Sequence, residues 1–203
     1  MAIGPEAPDG QSKMRDEIRT ARLLLRRARP GDLAGLHPIL SDPAAMRYWS
    51  TLPHRSLDET RDWLDSMIAE TPGEERDDFI VEHEGRVIGK AGCWRLPEIG
   101  FILHPEFWRL GLAREALEAI IPRLFRRYAI PAITADVDPR NTASLALLRS
   151  LGFVQTGRAE RTWLIGEEYC DSIYLALVRP GACAPEDAAD GRTGNLRAPD
   201  RNG

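Results

Sequence analysis

The sequence predicts a mixed α/β fold, one mixed sheet with helices on both of its faces. Three observations carry that expectation. Short apolar runs of strand length alternate with helical segments, the segment Leu112–Tyr128 holds an apolar stripe at helical spacing, and two long runs close the chain as an antiparallel pair. In order the elements read strand, two helices, three strands, helix, strand, helix, two strands, which makes about seven strands around one core. A chain of 203 residues has room for one domain with a sizeable core, and not for two ordinary ones with tails.

The first strand lies in Ala21–Pro30, where Leu23 and Leu25 alternate imperfectly with Arg22 and Arg26 before Pro30-Gly31 stops the run. Asp32 stands where it would cap a helix through Leu40. Ser41–Arg55 reads as a loop. Ser56 and Glu59 then have capping-box spacing, and the helix they open carries Leu57, Thr60, Leu64, Met67 and Ile68 on one side, with Trp63 nearby. Asp77–Leu96 is a hairpin about the turn Glu84-Gly85, and Glu98–His104 is a third short strand. Along Leu112–Tyr128, Ala113, Ala116, Leu117, Ile120, Ile121, Leu124, Phe125 and Tyr128 share one stripe, and Pro122 is expected to kink or split the helix. Ala132–Asp138 is a buried strand. Asn141 opens a helix through Leu151, which Gly152 closes in the left-handed conformation. Phe153–Ile165 and Glu168–Arg179 form the closing strands. Residues 1–17 are expected to be flexible, 18–179 to be the folded domain and 180–203, which hold almost nothing large to bury, to be disordered.

Composition narrows the function. A hydrophobic share of 43% beside 29% charged residues is that of a soluble globular protein. A net charge of -4 argues against nucleic acid or an anionic membrane as partner. Cys93, Cys170 and Cys183 are odd in number and lack the spacing of a disulfide framework or a metal site, so no metal is expected. No run approaches the roughly 20 apolar residues of a membrane helix, and the N-terminus lacks the apolar stretch of a secretory signal, so a cytoplasmic location is expected.

The most informative stretch is Arg109-Leu110-Gly111-Leu112-Ala113, where a strand gives way to a helix. A helix N-terminus leaves N–H groups unpaired at the positive end of the helix dipole, and a glycine turn lets phosphate oxygens approach them. Arg109 and Arg114 add positive charge beside the turn. Taken alone, the turn reads first as a plain connection in which Gly111 takes a positive φ. There is no GxGxxG with a following acidic residue and no GxxxxGK[ST], so neither a Rossmann nor a Walker site is indicated.

Four stretches in order resemble the GNAT superfamily of acetyl-CoA-dependent N-acetyltransferases: IRTARLLLR (Ile18–Arg26), PEIGFILHPEFWRLGLAREAL, NTASLALLRSLGF (Asn141–Phe153) and YCDSIYLALVR. The superfamily's pyrophosphate motif is (Gln/Arg)-x-x-Gly-x-(Gly/Ala). Trp108-Arg109-Leu110-Gly111-Leu112-Ala113 matches it with Trp in the first place, as in the branch of the ribosomal-protein N-terminal acetyltransferases. The likeness runs from about Ile18 to Arg179.

The resemblance implies the GNAT fold, with the strands Glu98–His104 and Ala132–Asp138 (the fourth and fifth) splayed apart. It implies that the N–H groups of Leu110 to Ala113 hold the coenzyme A diphosphate, and that main-chain groups near Phe101, Ile102 and Leu103 bind the pantetheine arm like an added strand. Asn141 would serve as helix cap and coenzyme contact, and Arg149 would face the adenosine phosphate. Glu98 is the candidate base, directly or through water, with a solvated edge carboxylate as the bland alternative. Many members place an acidic Tyr four residues before the Gly of LGF. Leu148 stands there, and Ser144 is the group left to hydrogen-bond the departing sulfur. Tyr48, Trp49 and His54 lie where acceptors enter, though each is equally suited to packing. The acceptor would be a small-molecule amine or a protein N-terminus. A non-catalytic acyl-CoA sensor and a transferase of another acyl group, such as succinyl, are the alternatives. A homodimer is expected on family grounds alone.

Overall fold

The computed structural model describes residues 17–69 and 75–181. The terminal segments expected to be flexible or disordered fall almost wholly outside them, as does Cys183. The elements are β1 (Ile18–Arg19), β2 (Leu23–Arg26), α1 (Leu33–Leu40), α2 (Leu57–Ile68), β3 (Asp77–His83), β4 (Arg86–Arg95), β5 (Glu98–Leu103), α3 (Leu112–Arg127), β6 (Ala132–Val137), α4 (Thr142–Ser150), β7 (Val154–Ile165) and β8 (Glu168–Val178). The strands form one 8-stranded sheet in the order β1-β2-β3-β4-β5-β6-β8-β7. The strand beyond the expected seven is β1, whose two residues pair with Leu24 and Leu25 at the sheet edge.

Every neighbouring pair is antiparallel except β5 and β6, which are parallel and joined through α3. These two meet in register only at Glu98 and Thr134, where the Thr134 N–H donates to the Pro97 carbonyl at 3.0 Å. Beyond that point their main chains no longer pair, and the sheet opens as the resemblance implied.

Alternation along the strands sends two apolar sets to opposite faces. Phe79, Val81, Ala91, Cys93, Ile99 and Leu103 pack under Leu112, Ala116, Leu117, Ile120 and Leu124 of α3 and under Leu145 and Leu148 of α4. Ile80 and Ile102 face the other way, toward Leu36, Ile39 and Leu40 of α1 and Leu64 of α2. Glu84 (φ 50°) and Gly85 (φ 76°) form the left-handed turn that a two-residue hairpin needs.

Three local expectations are corrected. Asp32 makes no cap bond to α1. It is buried against Arg26, which donates to it at 2.6 and 2.8 Å, and it accepts the Arg29 N–H at 2.7 Å. Ser56 does cap α2, accepting the Glu59 N–H at 3.2 Å, but the Glu59 carboxylate reaches the N–H of Arg55 and not that of Ser56. Pro122 neither splits nor ends α3, which runs unbroken to Arg127 and stops one residue short of Tyr128. The proline ring stands on the exposed side of the helix, where water can satisfy the carbonyl it leaves free.

Candidate active site

The start of α3 is open. Gly111, the N-cap, has φ 76°, and Arg109 two residues earlier has φ 62°, so the chain turns twice through the left-handed region before the helix begins. The first helical bond is that of the Glu115 N–H to the Gly111 carbonyl, 3.0 Å. Among the described residues the N–H groups from Arg109 to Arg114 have no hydrogen-bond acceptor. A Cβ at Gly111 would meet only a nitrogen of Arg22, at 3.6 Å. Polar donors at a helix mouth, unfilled by side chains, fit an anionic ligand such as the coenzyme diphosphate.

A strap that sequence reasoning missed holds this mouth in place. Glu115, in the first turn of α3, accepts from Thr20 Oγ1 (2.6 Å), from the Arg22 N–H (2.8 Å) and from Arg22 Nε (2.7 Å), while Arg22 Nη1 donates to the Leu110 carbonyl at 2.9 Å. Burial pushes the Glu115 carboxyl up, but these donors outweigh it and hold the group below the usual carboxylate range. The partners are more than 90 positions apart in the chain, so no local pattern signals them.

The open edge of β5 supplies the next feature. The His104 N–H donates to the Ile88 carbonyl of β4 at 2.8 Å, so by alternation the N–H of Ile102 also points to β4. The main-chain groups of Phe101 and Leu103 face the gap toward β6. Trp108 Nε1 occupies the Leu103 carbonyl at 2.8 Å and ties the turn to the strand. Of the three residues expected to bind pantetheine through the main chain, Phe101 and Leu103 therefore present groups to the gap and Ile102 does not.

One continuous cavity of about 1340 Å³ runs from the α3 mouth through the gap to the α1–α2 face. It exceeds the roughly 300–1,000 Å³ usual for one drug-sized ligand. Arg109, Gly111, Leu112, Ala113, Arg114, Asn141 and Ser144 border it on the helix side; Glu98, Phe101, Ile102 and Leu103 border it along β5; Tyr48 and Trp49 border it at the far end. Three expected residues do not line it. Leu110 is exposed beside the mouth, so only its main chain is at hand, and Arg149 is exposed on α4. The His54 imidazole turns into the protein. Its Nδ1 lies 3.0 Å from Thr60 Oγ1, which His37 Nδ1 also approaches at 2.8 Å. Burial lowers the His54 pKa, with Glu59 opposing and His37 assisting.

The sequence model of the Acetyltransferase (GNAT) domain matches residues 22–154, the stretch that builds the mouth, the gap and the start of β7. The chain belongs to the GNAT acetyltransferase family. It is 32% identical over 151 residues to the uncharacterised N-acetyltransferase p20 of Bacillus licheniformis, covering 70% of this chain and 84% of that one. Among solved structures it is similar to an acetyl transferase of Salmonella typhimurium that modifies the N-terminal serine of a 50S ribosomal subunit protein (TM-score 0.70, 21% identity, 79% of this chain and 96% of that one). It is also similar to the spermidine N-acetyltransferase of Vibrio cholerae solved with CoA and spermine (TM-score 0.66, 23% identity, 78% of this chain and 96% of that one). The chain is thus an acyltransferase of a family whose reaction is acetyl-CoA-dependent N-acetylation.

The candidate reactive groups have the following surroundings. Glu98 heads β5, half-buried on the cavity wall, with Trp94 Nε1 3.5 Å from its Oε1. Asn141 caps α4 by accepting the Ser144 N–H at 3.1 Å, while the Ser144 hydroxyl makes no hydrogen bond among the described residues and is free toward the cavity. Leu148, in place of the usual Tyr, is buried in the core beneath α4. Cys93 is fully buried, and burial, then Asp78 and Asp77, push its thiol far above the usual range, which removes it as a nucleophile. Sequence reasoning missed Asp136, on β6, which accepts from Trp163 Nε1 at 2.9 Å. Its signal was available, as a carboxylate alternating with buried residues in a strand beside the gap. No helix of the described residues is long and apolar enough to cross a membrane, and no cluster of His, Cys, Asp or Glu among them is placed to hold a metal.

Proposed function

We propose that this enzyme transfers an acetyl group directly to a primary amine while both substrates are bound. The observation that carries the reading is the continuity of the cavity from the unpaired amides of α3, past Glu98 and Ser144, to the aromatic wall at Tyr48 and Trp49. Acetyl-CoA supplies a thioester whose carbonyl carbon bonds to the amine nitrogen as the C–S bond breaks, giving an amide and a free thiol. The amides of Leu112, Ala113 and Arg114 hold its phosphates, with Arg109 and Arg114 adding charge. Main-chain groups of Phe101 and Leu103 align the arm in the gap, which fixes the reacting atoms side by side and supplies much of the barrier reduction.

Glu98 takes a proton from the bound acceptor ammonium, directly or through one water, and the neutral amine that results attacks the thioester. Ser144 hydrogen-bonds the departing thiolate, which takes up the proton that the nitrogen loses on forming the amide; among the described residues the Ser144 hydroxyl has no other acceptor. The acceptor enters from the α1–α2 face. Both acceptor types named for the structural neighbours, a protein N-terminus and a small polyamine, reach such a site as an exposed amine. Calorimetry with CoA and a thiol-release assay with acetyl-CoA over a panel of amines test the reading. Failure to bind CoA would overturn it, because a ligand of the folded state must bind and stabilise.

A further inference from the structure

All 5 tryptophans of the chain line the cavity. Trp108 stands at the coenzyme mouth, and Trp49, Trp63, Trp94 and Trp163 wall the arm on the α1–α2 face. Two carboxylates open into that arm. Glu98 is in register with Thr134, so Asp136 stands one same-face step further along β6. Each is met by an indole donor, Asp136 by Trp163 at 2.9 Å and Glu98 by Trp94 at 3.5 Å. An indole N–H orients a carboxylate and leaves its charge uncancelled.

The other acids lining the arm among the described residues each have a cation beside them. Asp78 is 2.7 Å from Lys90 Nζ, Asp138 is 2.6 Å from Arg140, and Asp171 is 3.5 Å from Arg158. Among the described residues neither Glu98 nor Asp136 has a cation within ion-pair distance. A half-buried carboxylate without a counter-charge is costly, and tryptophan faces attract cations. Arg47, exposed at the rim over the Tyr48 ring, and Arg76, whose Nη1 donates to the Ser66 carbonyl, are lining cations that would favour an anionic tail.

Resting on the acetyl-transfer reading, we propose that the acceptor is an amine with a second, non-reacting positive charge: its reacting nitrogen lies at Glu98 and its second cation is held by Asp136 against the tryptophan wall. The reacting nitrogen must be neutral to attack, whereas the second stays protonated throughout and anchors the molecule.

Three amines of one chain length test this: diaminobutane, butylamine and aminobutyrate, whose far ends are cationic, neutral and anionic. With acetyl-CoA, kcat/KM for diaminobutane exceeds that for butylamine by about ten-fold or more, the size of one charged hydrogen bond, and aminobutyrate is poorest. Asp136→Asn collapses the ratio of diaminobutane to butylamine, and Asp136→Glu restores part of it. Without turnover, diaminobutane added to the CoA complex changes the tryptophan emission saturably in the wild type and more weakly in Asp136→Asn, whose fold is checked by its retained CoA affinity. Equal rates for the three amines, a preference for butylamine or aminobutyrate, or an equal fall for both amines in Asp136→Asn would overturn the proposal. Absence of CoA binding, or of thiol release from every amine, is the separate result that overturns the transferase reading itself.

Discussion

Replacing Ala113 with proline removes one hydrogen-bond donor from the mouth of α3 and little else. Ala113 is the second helical residue, and its N–H has no partner among the described residues, because the first helical bond belongs to Glu115. Proline is tolerated in the first turn for that reason, although it disfavours the helical conformation of Leu112 before it. The fold should survive with a modestly lower Tm. A hydrogen bond to a charged group is worth about 1.5–3 kcal/mol, so the Kd for CoA should rise roughly ten- to hundred-fold. Ala113→Gly is the control. It keeps the N–H while weakening the helix by roughly 0.5–1 kcal/mol, and should lower Tm by a few degrees with CoA affinity nearly unchanged. Calorimetry with CoA beside thermal melts reads both quantities. A folded proline variant that binds CoA as the wild type does, or a glycine variant weakened as much as the proline variant, would refute the claim that bare amides carry the diphosphate.

Glu98→Gln should lower kcat/KM about 10²-fold with CoA affinity kept; a fall of less than about three-fold would remove Glu98 as the base. Ser144→Ala should leave Tm unchanged, since the hydroxyl is unpaired, and lower kcat about ten-fold; an unchanged kcat would mean that the thiolate leaves unaided. Because burial lowers the folded pKa of His54, the unfolded chain binds its proton more readily. The stability this group contributes is therefore complete above about pH 6.5 and is lost as pH falls from there through the depressed value. His54→Gln should flatten Tm against pH in that window, and a slope identical to that of the wild type would clear His54 of the effect.

Which features were legible follows from how far apart their causes lie in the chain. The apolar stripe of α3, the glycine turn before it, the Ser56 and Asn141 caps and the left-handed Gly152 are each made by residues within a few positions of one another. The open helix mouth and the gap-lining strand were legible for the same reason. Polar side chains were misread where a partner on a neighbouring element, only six positions away in the chain, outbid the adjacent backbone. Asp32 looks like a cap and is claimed by Arg26, while His54 looks like a loop residue at an entrance and is claimed by Thr60. The reach of Glu59 to Arg55 is a local near-miss, set by which N–H the carboxylate meets first.

The sequence by itself determined the element order, the faces that must be buried and the position where a helix begins with unpaired amides, because periodicity and backbone geometry act within a turn or two of chain. Sheet order decided the rest. Bringing β6 beside β5 across an intervening helix opened the gap and set Asp136 near Glu98. Folding β7 back along β8 laid Trp163 over Asp136. A side chain's charge partner is whatever the packed sheet brings within about 4 Å of it, and that distance is fixed only once the whole domain has closed.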